Sequence, residues 1–525
     1  MNDRIYVLDS TLRDGGYCNN WRFGQENIKR IISGLIDSNV DVIECGMLSE
    51  GFYSADESKY SSIHDATEIL PNKKDNKLFV LLMNYGDYDI DKLPEYENGG
   101  INGIRLAFHK KDMVQALEAA KKIKGKKYKV FLQPMVTATY SVDEYIDLLK
   151  SANEIDPYAF YIVDSFGSMS TNEVRKYCSL ATHILKSNII LGFHSHNNLQ
   201  LAFSNSQSFV EEAKGRKIIV DSCIMGMGRG AGNLNTELFL DFMNSMQEGE
   251  YKVTPLLVII DEILNLFYEK KYWGYSLPNY LSATYNMHPN YATYLADKNT
   301  LTISMMGELL SLVDISKKNS FNKHYIEDLY VSYMCAKRMK DNSQNELSNI
   351  FGQKDVLIIA PGKSIDTEIE KVQSFLNSND VITICVNFDL AIINADYIFV
   401  SNPKRYEELG EVETKRLITT SNIDVKEECI KVDYLSLLSE EMYVRDNAVM
   451  MLMKLLINSG ARKIYLAGVD GYEKDSANNY SKYSAALVTS DECLEYMNQG
   501  MNRLLHKYLE EIDVQFITSE RMIRR

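Results

Sequence analysis

The stretch IYVLDSTLRDGG, residues Ile5–Gly16, decides the fold. Its short apolar run, Ile5–Leu8, reads as a strand that ends on Asp9, Arg13 and Asp14. Seven further runs of the same kind follow: Val40–Cys45, Leu78–Met83, Gly103–Phe108, Lys129–Pro134, Ala159–Val163, Ile189–Phe193 and Ile218–Ser222. Between them lie amphipathic stretches with helical periodicity, such as Gln25–Ser38, Met113–Ile123, Val142–Ile155 and Thr171–Ser187. Eight strand-then-helix units at a period of about thirty residues predict a closed parallel (β/α)8 TIM barrel. An open doubly wound sheet shares the alternation, and the count of eight favours closure. The strand ends carry the chemistry: Asp9 with Arg13 and Asp14, Glu44, Asn84, Arg105, Gln133, Asp164, His194 with His196, and Asp221. In such a barrel the C-terminal ends of the strands line one mouth, where active sites form.

At 525 residues the chain exceeds one ordinary core, and two or three domains are expected. Hydrophobic residues make up 45% and charged residues 25%, with 9 prolines and 28 glycines, which excludes collagen-like, low-complexity and disordered classes. A formal charge of −15 disfavours nucleic acid or a membrane as partner, since both require a positive footprint. The basic stretch Lys121–Lys129 reads as a solvated helix end and turn. The opening residues carry a charge pair and a short strand rather than the long apolar core of a signal peptide. The most apolar helical stretch, Leu256–Phe267, is interrupted by Asp261 and Glu262, so no membrane span is expected. Eight scattered cysteines without CxxC spacing imply reduced thiols and a cytoplasmic setting. A homo-oligomer is expected.

The barrel is assigned residues 1–250. Residues 251–340 read as helices rich in tyrosine that cap the barrel, with the aromatic segment YWGYSLPNYLSATYNMHPNYATYL at Tyr272–Leu295. Residues 341–354 are polar and read as a linker. Over 355–525 a new α/β pattern begins with DVLIIAPGKSI (Asp355–Ile365) and continues through ITICVNF (Ile382–Phe388), YIFVSN (Tyr397–Asn402), KRLITTS (Lys415–Ser421) and KIYLAGVDG (Lys463–Gly471). It predicts an open parallel sheet, a Rossmann-like second domain.

His194 and His196 stand at i and i+2 at the end of the seventh strand, so both imidazoles project to the same side, toward the mouth. Asp14 follows the first strand, which closes the ring beside the eighth, and can add a hard oxygen ligand. Two imidazoles and a carboxylate with open positions suit a divalent metal acting as a Lewis acid; Mn, Mg or Co fit better than Zn. After the eighth strand, DSCIMGMGRGAGNLNTE (Asp221–Glu237) holds four glycines that permit close approach to a ligand. Asn233, read as opening the next helix, either offers its amide oxygen to the ion or caps that helix.

In that order on a barrel, TLRDGG, VDS, HSHNN and GMGRGAGN resemble the DRE-TIM metallolyase family over roughly residues 4–250, and the wording is nearest to its 4-hydroxy-2-oxovalerate aldolase-like members. The resemblance implies a metal-dependent aldolase or lyase that makes or breaks a carbon–carbon bond through a pyruvate-type enolate, with keto-acid and aldehyde substrates. It gives Asp14, His194, His196 and Asn233 to the metal and Arg13 to the keto or enolate oxygen. Glu44 and Asp164 match acidic positions around the site, although Glu44 is equally the partner that an enclosed Arg13 requires. Arg105, Gln133 and Asp164 are read as substrate-binding. Aldolases of this group carry a histidine base a few residues after the Arg–Asp pair, where this chain has Gly15-Gly16-Tyr17-Cys18-Asn19. The proton carrier therefore stays open between His288, Tyr291 and Tyr275 of the cap, and Tyr17 or Cys18.

APGKSI lacks the glycine spacing of a Walker loop, but a Pro-Gly turn entering a helix offers N–H groups to an anion. Gly362, Lys363, Ser364 and Asp470 are accordingly candidates for a nucleotide or nucleotide-sugar, against a domain that only assists assembly. APGKSI and VNFD resemble sialyltransferase-like and pterin-pyrophosphokinase-like domains. Two other functional readings remain for the barrel: a Claisen-type acyl-CoA synthase of the isopropylmalate or homocitrate synthase kind, and a non-catalytic scaffold or ligand-binding barrel, which loss of the base histidine favours.

Overall fold

Alternation along each short strand sorts the apolar residues into two cores, and this sorting closes the ring. The computed structural model describes residues 4–72, 76–246, 249–336, 343–410, 412–425, 428–475, 478–482, 484 and 491–520. Eight strands form the barrel: β1 (Ile5–Asp9), β2 (Val42–Leu48), β3 (Leu78–Asn84), β4 (Gly103–Phe108), β5 (Lys129–Pro134), β6 (Ala159–Asp164), β7 (Ile190–Ser195) and β8 (Ile218–Ser222). All pair in parallel in the order β1-β8-β7-β6-β5-β4-β3-β2, and β1 returns to β2. The eight fall within three residues of the boundaries expected from sequence. Leu8, Val42, Val80, Phe131, Tyr161 and Ile219 pack together as the inner set. Their strand neighbours Val7, Ile43, Phe79, Val130, Phe160 and Val220 belong to a second core with helix residues such as Ile28, Leu35, Leu149 and Phe209.

The helices obey the same local rules. Gln25–Asp37 buries Ile28, Ile31, Ile32, Leu35 and Ile36 along one stripe. Val142–Ile155 and Thr171–Ile184 each open with a capping box, Ser141 with Glu144 and Ser170 with Glu173, which satisfies otherwise orphaned backbone donors.

The chain divides into two compact units, Met1–Pro289 with Lys318–Ser320, and Asn290–Lys317 with Phe321–Arg525. The boundary thus falls inside the segment 251–340 that sequence reading treats as one cap. In the second unit, the helices Asn290–Lys298 and Lys323–Met334 meet over a buried carboxylate: Glu327 accepts from Tyr294 (2.7 Å) and pairs with Lys298 (2.8 Å) and Arg445 (3.4 Å). Residues 337–342, where cap and linker were to meet, lie outside the described residues. Within the polar stretch expected as linker, Gln344–Phe351 is a helix, because Leu347 and Phe351 stand four apart and bury on one side.

The second unit's sheet contains β9 (Asp355–Ile359), β10 (Ile382–Val386), β11 (Tyr397–Val400), β12 (Leu417–Thr420), β13 (Ile430–Val432), β14 (Lys463–Ala467) and β15 (Asp513–Phe516). It is parallel in the order β13-β12-β11-β10-β9-β14-β15, with the reversal of direction between β9 and β14, a Rossmann-like arrangement. No described helix is long and apolar enough to cross a membrane.

The inner core leaves no slack at β7. A Cβ on Gly192 would stand 2.4 Å from Cζ of the fully buried Tyr161 ring. Gly192→Ala is expected to cost about 1–3 kcal/mol, read as a lower urea midpoint with an unchanged slope.

Candidate metal centre

The strand period that aims His194 inward aims His196 the same way, and β1 delivers Asp14 to the same place. Ligand atoms of Asp14, His194 and His196, all buried, lie within 4.8 Å of one another. Asp14 Oδ2 is 3.6 Å from Nε2 of each imidazole. That is too long for a hydrogen bond, but it fits two donors sharing one ion at about 2.1 Å each, which sit roughly 3–3.6 Å apart.

The electrostatics make the same point. Burial pushes the His196 imidazole down to about 3, so it is neutral near pH 7. Burial alone would raise the Asp14 carboxyl, but Arg13 and then the two imidazoles hold it well below the usual carboxylate range. His194 Nδ1 donates to Asp221 Oδ2 at 3.0 Å, which leaves Nε2 as the lone-pair atom facing a carboxylate. Two acceptors set face to face in a buried pocket call for a cation between them. Asn233 adds a second oxygen. Its backbone pairs with His196, and its Nδ2 donates to Met227 O (3.2 Å) and Cys223 Sγ (3.3 Å). Asp14 Oδ2 and Asn233 Oδ1 are both buried and accept no hydrogen bond. The adjacent helix, Thr236–Ser245, starts after Asn235, so Asn233 is not its cap. Residues, charge and orphaned oxygens therefore fit a divalent ion. Gly228 is required here: a Cβ would stand 2.1 Å from Asn233 Nδ2.

Behind the ligands runs a buried ion-pair chain. Arg13 Nε binds Glu44 Oε2 and its Nη1 binds Asp14 Oδ1, both at 2.8 Å. Arg105 pairs with Glu44 Oε1 at 2.9 Å and with Asp221, and its guanidinium lies 4.9 Å from the Tyr161 ring centre. With its amide oxygen turned to Arg105, Gln133 accepts from Nε (3.1 Å) and Nη2 (2.7 Å).

Several expected roles change. Arg105 is wholly inaccessible and Gln133 nearly so, and the two are spent on each other and on carboxylates, so neither meets substrate. Asp164 accepts from Ser168 N (3.0 Å) and Met169 N (3.2 Å), which makes it the clamp of its own loop. Of the proton-carrier candidates, Tyr275 is 53% exposed with its ring against Tyr280. Tyr291 belongs to the second unit, where its hydroxyl donates to Lys317 O at 3.0 Å. Cys18 donates to Gly228 O, and burial pushes its thiol up to about 12. Tyr17 lies with its ring centre 5.5 Å from the Arg229 guanidinium. His288 Nε2 stands 3.4 Å from Arg229 Nη1, and burial followed by that cation pushes the imidazole down to about 3. Sequence reading saw Asp221 only as a polar strand end, whereas it orients His194, and gave no role to Arg229, which the glycine-rich loop brings beside His288.

The nucleotide candidates meet a prior occupant. Asp470 accepts from Ser364 N (2.6 Å) and Ser364 Oγ (2.5 Å), so a carboxylate of the chain already fills the start of the helix Ser364–Ser378. Lys363 pairs with Asp366 at 3.0 Å, and a Cβ on Gly362 would meet Asp470 Oδ2 at 2.8 Å. A phosphate there would face an anion.

Comparison with known proteins places a match to the HMGL-like family over residues 4–254. A 4-hydroxy-2-oxovalerate aldolase of Thermomicrobium roseum is 30% identical over 276 residues, covering 48% of this chain and 73% of that protein. Another from a Marinomonas species is 28% identical over 258 residues, covering 47% and 73%. The crystallised N-terminal domain of a Bacteroides vulgatus protein is 28% identical with a TM-score of 0.49, covering 55% of this chain and 96% of that one.

Because Asp221 fixes the tautomer of His194, Asp221→Asn is expected to weaken divalent-ion binding about 10–100-fold, measured by titration calorimetry with Mn2+. A pH effect follows from Asp9, which accepts from Thr236 Oγ1 (2.6 Å) and Thr11 N (2.9 Å). Burial raises its carboxyl to about 6. The folded state therefore holds this proton more tightly than the unfolded chain, and the associated stability is present below about pH 4 and lost as pH rises through about 6. In Asp9→Asn the amide can donate to Thr236 and accept from Thr11, so the variant should gain on the parent between pH 4.5 and pH 7 in urea unfolding.

Proposed function

Because this chain belongs to the HMGL-like family, we propose that its barrel is a divalent-metal-dependent aldolase, cleaving or forming a carbon–carbon bond beside a keto group through a pyruvate-type enolate. The observation that carries this reading is the convergence of Asp14 Oδ2 and both imidazole Nε2 atoms on one buried point with Arg13 alongside.

Asp14, His194, His196 and Asn233 would hold a divalent ion, which would supply Lewis-acid stabilisation to a 2-keto acid, with Mn, Mg or Co suiting the mixed nitrogen and oxygen set. Arg13 handles the charge that develops. Glu44 and Asp14 hold its Nε and Nη1, so the guanidinium plane cannot swing. Its remaining Nη2 edge is preorganised for the oxygen that becomes an enolate oxygen, and no reorganisation is needed as the bond breaks. Glu44 is thus a positioning residue.

His288 is the proton carrier. It is neutral near pH 7 and so can accept a proton, and an anionic substrate beside Arg229 brings its basicity toward the working range. In the cleavage direction His288 takes the hydroxyl proton of a 4-hydroxy-2-keto acid. The bond between the carbinol carbon and its neighbour breaks, and the electron pair becomes the enolate of the keto-acid fragment. A proton then returns to that carbon to complete the methyl group, and the other fragment leaves as an aldehyde.

The test is enolisation without an acceptor. Purified protein with Mn2+, Mg2+ or Co2+ and pyruvate in deuterated water should incorporate deuterium into the methyl group, followed by proton NMR. Arg13→Ala should slow that exchange about 10²–10³-fold. Absence of exchange with all three ions would overturn the reading.

A further inference from the structure

Arg229 is a half-buried cation at the barrel mouth. The backbone that follows it is pinned: a Cβ on Gly230 would meet Asn198 Oδ1 at 2.7 Å, and Ala231 N donates to that same oxygen at 2.8 Å. Its side chain is half-buried. Nη1 is 3.4 Å from His288 Nε2, Nη2 is 3.4 Å from Ser165 O, and the guanidinium lies beside the Tyr17 ring. Nε is buried and has no partner. Among the described residues no carboxylate lies within ion-pair distance of it. Two acids anchored nearby are committed elsewhere, Asp164 to Ser168 N and Met169 N, and Glu237 to Met225 N and Asn235 Nδ2, both at 2.9 Å.

Arg229 is a half-buried guanidinium with an unsatisfied buried N–H, which is costly unless an anion arrives. Planar guanidinium forks suit carboxylate and phosphate.

We propose that Arg229 is the acceptor-side subsite for an acidic group, so that the aldehyde joined to or released from the keto acid carries a carboxylate or a phosphate. This inference rests on the aldolase reading of the same mouth. In the forward addition, the methyl carbon of the keto acid gives up a proton and its electron pair forms the new bond to the aldehyde carbonyl carbon. The carbonyl oxygen takes a proton to become the hydroxyl. The acidic group is unchanged throughout and serves only as an anchor.

The test pairs acidic aldehydes with neutral partners of similar size: succinic semialdehyde against butanal, and glyceraldehyde 3-phosphate against glyceraldehyde, each with pyruvate and Mn2+. Product formation is followed by mass spectrometry. The parent should favour at least one acidic member by about tenfold or more in kcat/KM, and which pair shows the preference separates carboxylate from phosphate. Arg229→Gln should raise KM for that acidic aldehyde at least about tenfold while KM for its neutral partner moves less than about threefold. Arg229→Lys, which keeps the charge but not the fork, should fall between. No preference in the parent, or an equal loss for both members of the pair in the variant, overturns the proposal. If pyruvate fails to exchange deuterium at all, the aldolase reading is what has failed, and the subsite is then read by binding alone. Succinate and inorganic phosphate, titrated against the fluorescence of Trp21 and Trp273, should bind the parent at least about tenfold more tightly than Arg229→Gln, and equal binding overturns the proposal.

Discussion

A chain of alternating charge runs through the barrel, from Asp221 through Arg105, Glu44 and Arg13 to Asp14, and the geometry of the mouth depends on it. Each member is buried, so each would be expensive alone; removal of one partner from such a pair typically costs about 3–5 kcal/mol because the other is left uncompensated. Alternation makes the group self-supporting. Its two ends also have a chemical consequence. At one end Asp14 offers Oδ2 to the centre; at the other, Asp221 holds the His194 ring by Nδ1. The candidate ligands are therefore fixed from both directions by a single network that crosses the barrel interior.

Much of this was legible in the chain itself. Short continuous apolar runs, separated by stripes of period 3.6, allow few folds, and the eight polar strand ends mark the mouth. His194 and His196 were readable because their spacing forces both rings to one side, and Asp14 because ring closure returns β1 to the neighbourhood of β8. The roles of Arg105 and Gln133 were not readable. A polar residue at a strand end looks the same in sequence whether it faces substrate or the next ionic side chain, and only the depth of burial and the partner across the barrel separate the two. Asn233 was ambiguous for a related reason: the helix start lies two residues further on than the pattern suggested, a shift smaller than local sequence resolves.

The second unit shows the reverse error. A Pro-Gly turn entering a helix looks like an anion cradle, and the structure does place an anion there, but it is the carboxylate of Asp470, brought from the end of β14 about a hundred residues downstream. Helix N-termini attract negative charge whatever its source. When the switch point of a parallel sheet brings an acidic strand end beside the helix, the chain satisfies its own site. Local motif and tertiary partner were separately visible in the sequence; their meeting was not.

The missing histidine after Asp14 raises a deeper question, whether the mouth has lost its chemistry or rearranged it. Tyr17 occupies part of that stretch, and its ring packs against Trp21 and lies beside the Arg229 guanidinium. A protonatable imidazole in the same place would compete with that cation, whereas the face of an aromatic ring attracts it. Arg229 in the glycine-rich loop, an aromatic ring in place of an imidazole, and His288 at 3.4 Å from the guanidinium are thus mutually consistent. Eight strand ends open on one mouth, so a proton carrier can enter from the loop after β1 or from the segment that follows β8 without disturbing the ligands between them. The ion pairs support one another, but a relic barrel would have no physical reason to keep two orphaned oxygens and an unpartnered guanidinium N–H as well. Their burial costs are separate, and a bound ion and an anionic ligand would offset them.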